Sequence, residues 1–420
     1  MRVFKFGGAS VVDAKSVENL KKIITQEGEE LVIIVSAMGK STNKLESIWE
    51  AKINEENEKV DIQLNDLIKY HENIYTELSL GNNQTFLKQF HALFEELNSF
   101  LKTNSPIDLS FFYDQIVCYG ELFSTSIISF YLNKEGIKNT WLDARKLIKT
   151  SNHFQEARVN WEKSKELIQG QISDLNKTYI SQGFIGSNST NQTTTLGREG
   201  SDYSAAIFAW AINASEVVIW KDVKGLLNAD PKLFDNTIQL KNISFKEAIE
   251  LSYLGASVIH PKTIKPLQNK GIPLIIKSFI DLNQEGSSIQ ENSANDNSVP
   301  SYIYKPNQIL LSISTKDYSF IFEDHLSDLF RLFAENGLKV HLMQNSALSF
   351  SVCGFIKSAL IPRLLESLSV KYLVKYNERV DLLTIRHYQD FKLPKLVERQ
   401  EVLLEQRSRS TIRYVLKKEN

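Results

Sequence analysis

The chain has 420 residues, a length that predicts two or more folded domains. Of these residues 42% are hydrophobic and 24% are charged, a composition that excludes a disordered protein. Its 49 basic and 50 acidic residues give a net charge of -1, which removes the usual electrostatic argument for a nucleic-acid partner. No stretch has the length of a membrane span or the form of a signal peptide, and two cysteines are too few for a disulfide framework. We therefore expect no membrane partner and a reducing, cytoplasmic location.

The first two thirds of the chain alternates short apolar runs with helical periodicity, which predicts an α/β domain with a mainly parallel buried sheet. Strands are predicted at residues 2–6, 31–36, 217–220 and 274–276. Asp13 is placed to cap a helix whose apolar stripe begins at Val17. Residues 44–101 are mostly good helix formers and predict a helical layer.

The composition changes near residue 284, where Ser, Asn and Gly become frequent and hydrophobic residues rare, as in a linker. Beyond it, the order strand, helix, strand, strand, helix, strand predicts a ferredoxin-like βαββαβ unit. Strand-like runs at 402–404 and 411–416 follow without a convincing helix between them. A second unit of this kind would therefore be truncated.

Polar and glycine residues are concentrated where predicted strands end, which is where open α/β sheets bind ligands. The densest stretch is residues 180–206, in which Arg198 could hold a carboxylate or a phosphate. Lys5 is followed by Gly7 and Gly8, a turn that could hold a phosphate or be an ordinary strand end. Neither a Walker A pattern nor GxGxxG occurs, so a nucleotide site must be of another design.

Several other positions have two interpretations. Thr42 could contact a small substrate or help to cap the next helix, and capping is the better single interpretation. Glu121 lies in an apolar segment, where it could pair with a substrate ammonium group, form an internal ion pair or be a partly exposed helix residue. Residues 221–232 offer carboxylates and lysines for a nucleotide and its magnesium. His260 is not expected to bind metal, because no second histidine lies at ligand spacing.

Taken in order, these segments resemble the aspartate kinases of the amino-acid kinase superfamily. The resemblance rests on seven strings in register: KFGGAS, VSAMGKSTN, GELFS, SQGFIGS, TTTLGREGSDYSAA, DVKGLLNADP and GASVIHPKT. It implies a three-layer amino-acid-kinase catalytic domain over residues 1–285, a linker over 286–305 and an ACT region over 306–420. In that region the first unit would be complete over about 306–379 and the second truncated over about 380–420.

The resemblance also implies the reaction. An aspartate kinase transfers the γ-phosphoryl group of ATP, with Mg²⁺ bridging the phosphates, to the side-chain carboxylate of L-aspartate. The product, 4-phospho-L-aspartate, leads to lysine, threonine and methionine. We expect a homodimer formed through the ACT region. The alternatives are another amino-acid kinase and a catalytically silent amino-acid-binding regulator, and a pure sensor would have no need of Lys5.

Individual roles follow from the same resemblance. Lys5 would stabilise charge on the moving phosphoryl group, and Asp202 would organise either Lys5 or the substrate amino group. The residues expected to hold aspartate are Thr42, Glu121, Arg198 and Ser201. The residues expected to contact ATP are Lys5, Phe6, Gly7, Gly8, Lys221, Asp222, Leu227, Lys232, Ser257 and Lys262. No protein ligand to a metal is predicted.

Some of these positions depart from the commoner family pattern. Glu199 replaces a usual glycine and puts a negative charge beside Arg198. The residues at 221, 227 and 257 replace a frequent Thr, Tyr and Lys, and Lys262 could supply the missing charge. The truncated second unit, together with a loop over 315–324 that lacks glycine, predicts weak or lost feedback inhibition.

Overall fold

The computed structural model of the chain describes residues 1–28, 30–103, 107–256, 259–292, 294–388 and 400–417. The chain divides into two compact units. The first comprises Met1–Leu226, Gln239–Ile249 and Val258–Asn295, and the second comprises Leu227–Ile238, Glu250–Ser257 and Asp296–Asn420. Two short segments from the middle of the chain thus belong to the second unit.

An eight-stranded sheet forms the centre of the first unit. Its strands are β1 (Arg2–Phe6), β2 (Leu31–Val35), β3 (Asn139–Leu142), β4 (Thr178–Gln182), β7 (Val217–Lys221), β8 (Asn242–Ser244), β9 (Leu274–Ser278) and β10 (Ser287–Gln290). They lie in the order β3-β4-β2-β1-β7-β9-β10-β8, and β9 with β10 is the antiparallel pair among otherwise parallel neighbours. A separate hairpin is formed by β5 (Ile185–Ser187) and β6 (Thr193–Thr195). The predicted mainly parallel sheet is confirmed.

Helices cover both faces of this sheet. The helices up to residue 268 are α1 (Ala14–Glu27), α2 (Ser41–Ile53), α3 (Asn57–Glu77), α4 (Gln84–Thr103), α5 (Leu109–Val117), α6 (Tyr119–Lys134), α7 (Ala144–Leu147), α8 (Trp161–Gln171), α9 (Gly200–Ile212), α10 (Phe245–Leu254) and α11 (Pro261–Gln268). Apolar residues of α1 to α6 share one core with Phe4 and Phe6, whereas α9 packs against β1, β2 and β7. Because strand side chains alternate between faces, Lys5 points away from the Phe4 and Phe6 core.

The second unit is built on a six-stranded antiparallel sheet. Its elements are β11 (Ser301–Thr315), α12 (Glu323–Glu335), β12 (Lys339–Asn345), β13 (Phe350–Phe355), α13 (Ile361–Ser369), β14 (Tyr372–Arg386), β15 (Glu401–Arg407) and β16 (Thr411–Lys417). The strand order is β12-β13-β11-β14-β16-β15. The sequence β11-α12-β12-β13-α13-β14 is the predicted βαββαβ unit, and α12 and α13 share a core with β11 and β13.

The sheet of the second unit extends beyond that motif. The first residues of β11 pair with the end of β14, Ser301 opposite Arg386, and β16 and β15 add two more strands. Among the residues described after 386 there is no helix. The range 286–305, predicted as a linker, therefore contains β10 of the first sheet and the start of β11 in the second. Because these short polar strands have the composition of a loop, the sequence pattern does not distinguish a strand from a loop in this range.

Within the described ranges, none of the helices combines the length and the apolar character needed to cross a bilayer.

The predicted cap of α1 is confirmed and can be tested. Asp13 accepts the backbone N–H of Ser16 at 2.8 Å, and the Ser16 hydroxyl oxygen accepts the N–H of Asp13 at 2.9 Å. We expect Asp13→Ala to lower the free energy of unfolding by about 1 kcal/mol, with Asp13→Asn as the control that keeps the cap. Urea denaturation measures both, and equal losses would contradict the assignment.

The same cap predicts a pH dependence. Hydrogen bonds from Ser16 lower the pKa of Asp13 below 3.8. A lowered pKa means that the charged cap stabilises the fold above the ordinary pKa and that this contribution disappears as pH falls through the lowered value. The stability difference between the wild type and Asp13→Asn should therefore shrink on acidification.

Candidate active site

A cavity of about 610 Å³ opens in the first unit at the carboxyl ends of its central strands. Lys5 near the end of β1, Ser36 just after β2 and Phe184 just after β4 all line it, together with the start of α9. Parallel strands expose their last residues at one edge of a sheet, and the loops that follow place polar side chains there. This cavity brings together seven of the predicted residues: Lys5, Thr42, Glu121, Arg198, Ser201, Asp202 and Lys221.

A buried ion pair forms the floor of the cavity. The Nζ atom of Lys5 lies 2.7 Å from Oδ1 of Asp202, and both side chains are almost completely buried. The ammonium group of Lys221 lies 3.8 Å from the other Asp202 oxygen. Burial alone would raise the pKa of Asp202, but the charges of Lys5 and Lys221 outweigh it, so the pKa is lowered and the carboxylate stays ionised. Lys5 is thereby held with its charge facing the cavity.

Glu121 on α6 is a second buried carboxyl group with a different environment. Its Oε1 accepts the backbone N–H of Ala37 at 3.2 Å, while its Oε2 has no hydrogen-bond partner among the described residues. Burial raises the pKa of Glu121 to about 8, although the Ala37 hydrogen bond and the charge of Lys5 oppose the rise. No internal cation pairs with Glu121 within the part of the chain described. A ligand cation would therefore find an unsatisfied acceptor here.

The start of α9 and the start of α2 supply the other polar groups. Arg198 is exposed at the cavity and makes neither an ion pair nor a side-chain hydrogen bond with the described residues, so its two donor edges are available. Ser201 lies in the first turn of α9, where free backbone N–H groups favour an anion. Thr42 lies in the first turn of α2. The interpretation of this region as a side-chain cap is wrong, because Lys40 is the N-cap and makes no capping hydrogen bond.

The predicted phosphate turn is tightly packed. A Cβ on Gly8 would lie 2.8 Å from the carbonyl oxygens of Ala37 and Gly39, and one on Gly7 would lie 3.3 Å from Nζ of Lys5. Gly8 therefore allows the backbone at Ala37 and Gly39 to approach closely, and Gly7 leaves room for the Lys5 amine. The side chain of Phe6 is fully buried and stacks on Trp220, which leaves only its backbone for a ligand.

The remaining predicted nucleotide contacts are not among the cavity residues. Asp222 and Lys262 are exposed residues of the first unit. Leu227 and Lys232 lie in Leu227–Ile238, the segment assigned to the second unit, where Phe234 stacks on Tyr302. Ser257 lies outside the described residues. His260 is the N-cap of α11, and its ring Nδ1 accepts the backbone N–H of Lys262 at 3.1 Å.

Sequence reasoning missed a buried residue that holds two of the residues lining the cavity. Asp114 on α5 is completely buried and accepts three hydrogen bonds, from the N–H groups of Gln155 and Thr195 and from the Thr195 hydroxyl. Burial raises the pKa of Asp114 to about 6 against these three donors. Because Gln155 and Thr195 both line the cavity, Asp114 fixes two of its walls. The signal that could have found it is an acid within the apolar run SFFYDQIV, the same signal as for Glu121.

Phe184 was also missed. It lines the cavity with a φ of 68°, a left-handed conformation that costs energy in an aromatic residue, and its N–H donates to Ser204 on α9 at 2.9 Å. A Cβ on Gly200 would lie 2.6 Å from the Phe184 ring, so that glycine is required by packing. Nothing in the local sequence pattern indicates this contact.

The buried ion pair yields a stability prediction. Lys5→Met should lower the free energy of unfolding by about 3 kcal/mol, because it leaves the buried Asp202 with Lys221 alone at the longer distance. Adding Asp202→Asn should recover part of that loss, since the uncompensated charge disappears. Urea unfolding of the two single variants and the double variant measures the coupling, and strictly additive losses would show that the pair does not interact.

Comparison with known proteins agrees with this geometry. The model of the amino acid kinase family matches residues 1–278. Lysine-sensitive aspartokinase 3 of Escherichia coli is 31% identical over 360 residues, which cover 83% of this chain and 77% of that protein. The bifunctional aspartokinase/homoserine dehydrogenase 1 of Zea mays is 31% identical over 301 residues. The alignment covers 70% of this chain but 33% of the maize protein, so the chain spans about a third of that relative's length.

Solved structures are similar over nearly the whole chain. The crystal structure of E. coli aspartokinase III in complex with lysine and aspartate matches with a TM-score of 0.83 and 26% identity, covering 99% of this chain and 95% of that one. The same enzyme in complex with aspartate and ADP matches with a TM-score of 0.81 and 26% identity, covering 99% and 96%. With the family model and the E. coli relative in agreement, the chain belongs to the amino acid kinase family and, within it, to the aspartokinases.

Proposed function

We propose that the protein is an aspartate kinase that transfers the γ-phosphoryl group of ATP to the side-chain carboxylate of L-aspartate. One observation carries the proposal: a single cavity holds the Lys5 ammonium, the Arg198 guanidinium and the Glu121 carboxyl group, of which the last two have a free donor edge and a free acceptor oxygen among the described residues. These three groups match the phosphoryl group, the carboxylate and the ammonium of the two substrates. Similarity to an aspartokinase crystallised with aspartate and ADP supports the same assignment.

The proposed reaction needs no general base. The attacking carboxylate is already ionised near neutral pH, so one of its oxygens forms a bond to the γ-phosphorus while the bond from that phosphorus to the bridging oxygen of ADP breaks. Lys5 stabilises the charge on the transferred group, and Asp202 holds Lys5 in place through the 2.7 Å ion pair. Arg198 and Ser201 hold the α-carboxylate, Glu121 the amino group, and Thr42 positions the substrate.

On the nucleotide side, the proposal assigns Gly7, Gly8 and the backbone of Phe6 to the phosphates, beside Lys5. Lys221, Asp222, Leu227, Lys232, Ser257 and Lys262 remain predicted ATP contacts. When bound, Mg²⁺ would neutralise phosphate charge, and it commonly takes most of its ligands from the phosphates and water. Among the described residues, no group of three or more His, Cys, Asp or Glu side chains is placed to hold a metal ion.

Three further features stay predictions. We propose a homodimer formed through the ACT region, because unpaired edges of an antiparallel sheet can pair between copies. A cytoplasmic location rests on the cysteine content of the sequence. Weak or lost feedback inhibition rests on the predicted truncation of the second unit, with which the absence of a helix among the residues described after 386 is consistent, and strong inhibition of the purified protein by lysine or threonine would contradict it.

The activity is tested by trapping the acyl phosphate. The protein is incubated with ATP, Mg²⁺ and aspartate, and hydroxylamine converts the product to a hydroxamate that forms a coloured complex with added ferric iron. We expect product with aspartate and little with glutamate, and a loss of at least about 100-fold in kcat for Lys5→Ala. Lys59→Ala, an exposed lysine on α3, is the matched control. The absence of hydroxamate with aspartate would rule out the proposed reaction, and preferred phosphorylation of glutamate would identify another amino-acid kinase.

Glu121 predicts how aspartate binding depends on pH. Since the pKa of Glu121 is raised to about 8, this group carries a proton near neutrality, and an ammonium group must displace that proton to pair with it. The KM for aspartate should therefore fall, by about tenfold at most, as pH rises from neutrality through about 8, and then level off. The KM for ATP serves as the internal control. Glu121→Gln should raise the KM for aspartate and flatten its profile, and an unchanged profile would exclude Glu121 as the ammonium partner.

A further inference from the structure

The backbone of Glu199 has a conformation that suits glycine. As the N-cap of α9 it has φ 54° and ψ 30°, in the left-handed region, where the Cβ atom of any other residue is crowded. Glycine is the usual residue at this position in the family pattern. A glutamate here has a strained backbone, and a side-chain contact can offset the energetic cost of that strain.

The side chain makes that contact. Oε2 of Glu199 accepts the backbone N–H of His260 at 2.8 Å, across 61 residues of sequence. His260 is the N-cap of α11, and the following residue is Pro261, which has no N–H. Through this hydrogen bond, Glu199 connects the N-cap of α9 to the N-cap of α11, and these two helices pack on each other.

Both positive and negative side chains surround the hydrogen bond between Glu199 and His260. His260 interacts electrostatically with Glu199, Lys262, Arg198 and Glu156, and burial is the main cause of its lowered pKa. Arg198 and Lys262 are both close enough to His260 to interact with its charge. The Glu199 carboxylate accepts the N–H of His260 at the N-terminal end of α11, where the positive end of the helix dipole favours a negative charge.

We propose that Glu199 is a positioning residue that holds the start of α11, with Lys262, in a fixed position relative to Arg198. This inference rests on the proposed function, in which Arg198 holds aspartate and Lys262 contacts ATP. Glu199 lines the same cavity beside Arg198, and in this role it sets the separation of the two substrates through the position of α11. In-line transfer depends on that separation, since small displacements of reacting atoms are costly.

Three substitutions at this position separate the contact from the backbone conformation. Glycine and asparagine adopt the left-handed conformation readily but cannot reach His260, whereas glutamine can accept the same hydrogen bond. We expect Glu199→Gly and Glu199→Asn to raise the KM for ATP about fivefold, and Glu199→Gln to restore it to within about twofold. A glutamine variant as impaired as the glycine variant would overturn the hydrogen-bonded role.

Glu55 provides a matched control. It is also a glutamate with left-handed φ, 60°, but it is exposed at the end of α2 and its side chain makes no hydrogen bond or ion pair with the described residues. Glu55→Gly should raise Tm by about 2 °C and leave the KM for ATP unchanged. If Glu55→Gly changed the KM for ATP as much as Glu199→Gly does, the effect at Glu199 would be one of backbone strain and the proposal would fail.

Two further measurements connect Glu199 with Lys262. If Glu199 acts through Lys262, the variants Lys262→Ala and Lys262→Ala with Glu199→Gly should have the same KM for ATP, and additive effects would contradict this route. Hydrogen exchange of the amides of α11 should be faster in Glu199→Gly than in the wild type or Glu199→Gln. Unchanged hydrogen exchange of the α11 amides would overturn the proposal, and this measurement does not require kinase activity. Failure of the proposed function would be seen separately, as a wild-type protein that forms no hydroxamate.

Discussion

The ion pair between Lys5 and Asp202 is the interaction on which the candidate site depends. A carboxylate buried to this degree requires a cation, and the alternation of β1 turns Lys5 toward the face of the sheet that α9 covers. The need to pair Asp202 with Lys5 fixes where α9 must start relative to β1. Once α9 starts there, the turn that precedes it brings Arg198 and Ser201 to the same cavity. The position of the site at the carboxyl edge of the sheet is thus a consequence of one buried pair.

A second constraint comes from the backbone around that turn. Phe184, Gly197 and Glu199 all have left-handed φ values, and Gly200 fits only because it lacks a Cβ. Conformations of this kind persist where surrounding contacts determine them, and here Ser204 accepts the N–H of Phe184 while the side chain of Glu199 accepts the N–H of His260. The glycine-rich character of the stretch therefore reflects close packing of strand, hairpin and helix as much as the approach of a ligand.

The fold was largely predictable and the finer features of the site were not. The continuous apolar run of β2 identifies a strand that is buried on both faces. The apolar stripe that begins at Val17 identifies α1, because its buried residues recur at helical spacing. The polar strand β10 and the start of β11 have no such apolar pattern and could not be predicted in this way. They form strands because they pair with residues that are distant in the sequence. The same holds for Asp114 and Phe184, whose importance arises from Thr195 and Ser204. Family resemblance supplied Lys5, Asp202 and Arg198, whereas it could not supply the contact of a residue that departs from the family pattern.

The cavity holds two buried carboxyl groups whose environments drive their pKa values in opposite directions. Asp202 has Lys5 beside it and stays ionised, so its charge is permanently used in holding that lysine. Glu121 has one backbone donor and an unsatisfied oxygen, and its pKa is raised to about 8. A group that is already paired cannot respond to a ligand, whereas an unpaired group gains most when a cation arrives. The position of Lys5 beside Asp202 therefore explains why Asp202 holds that lysine while Glu121 remains available to a ligand cation.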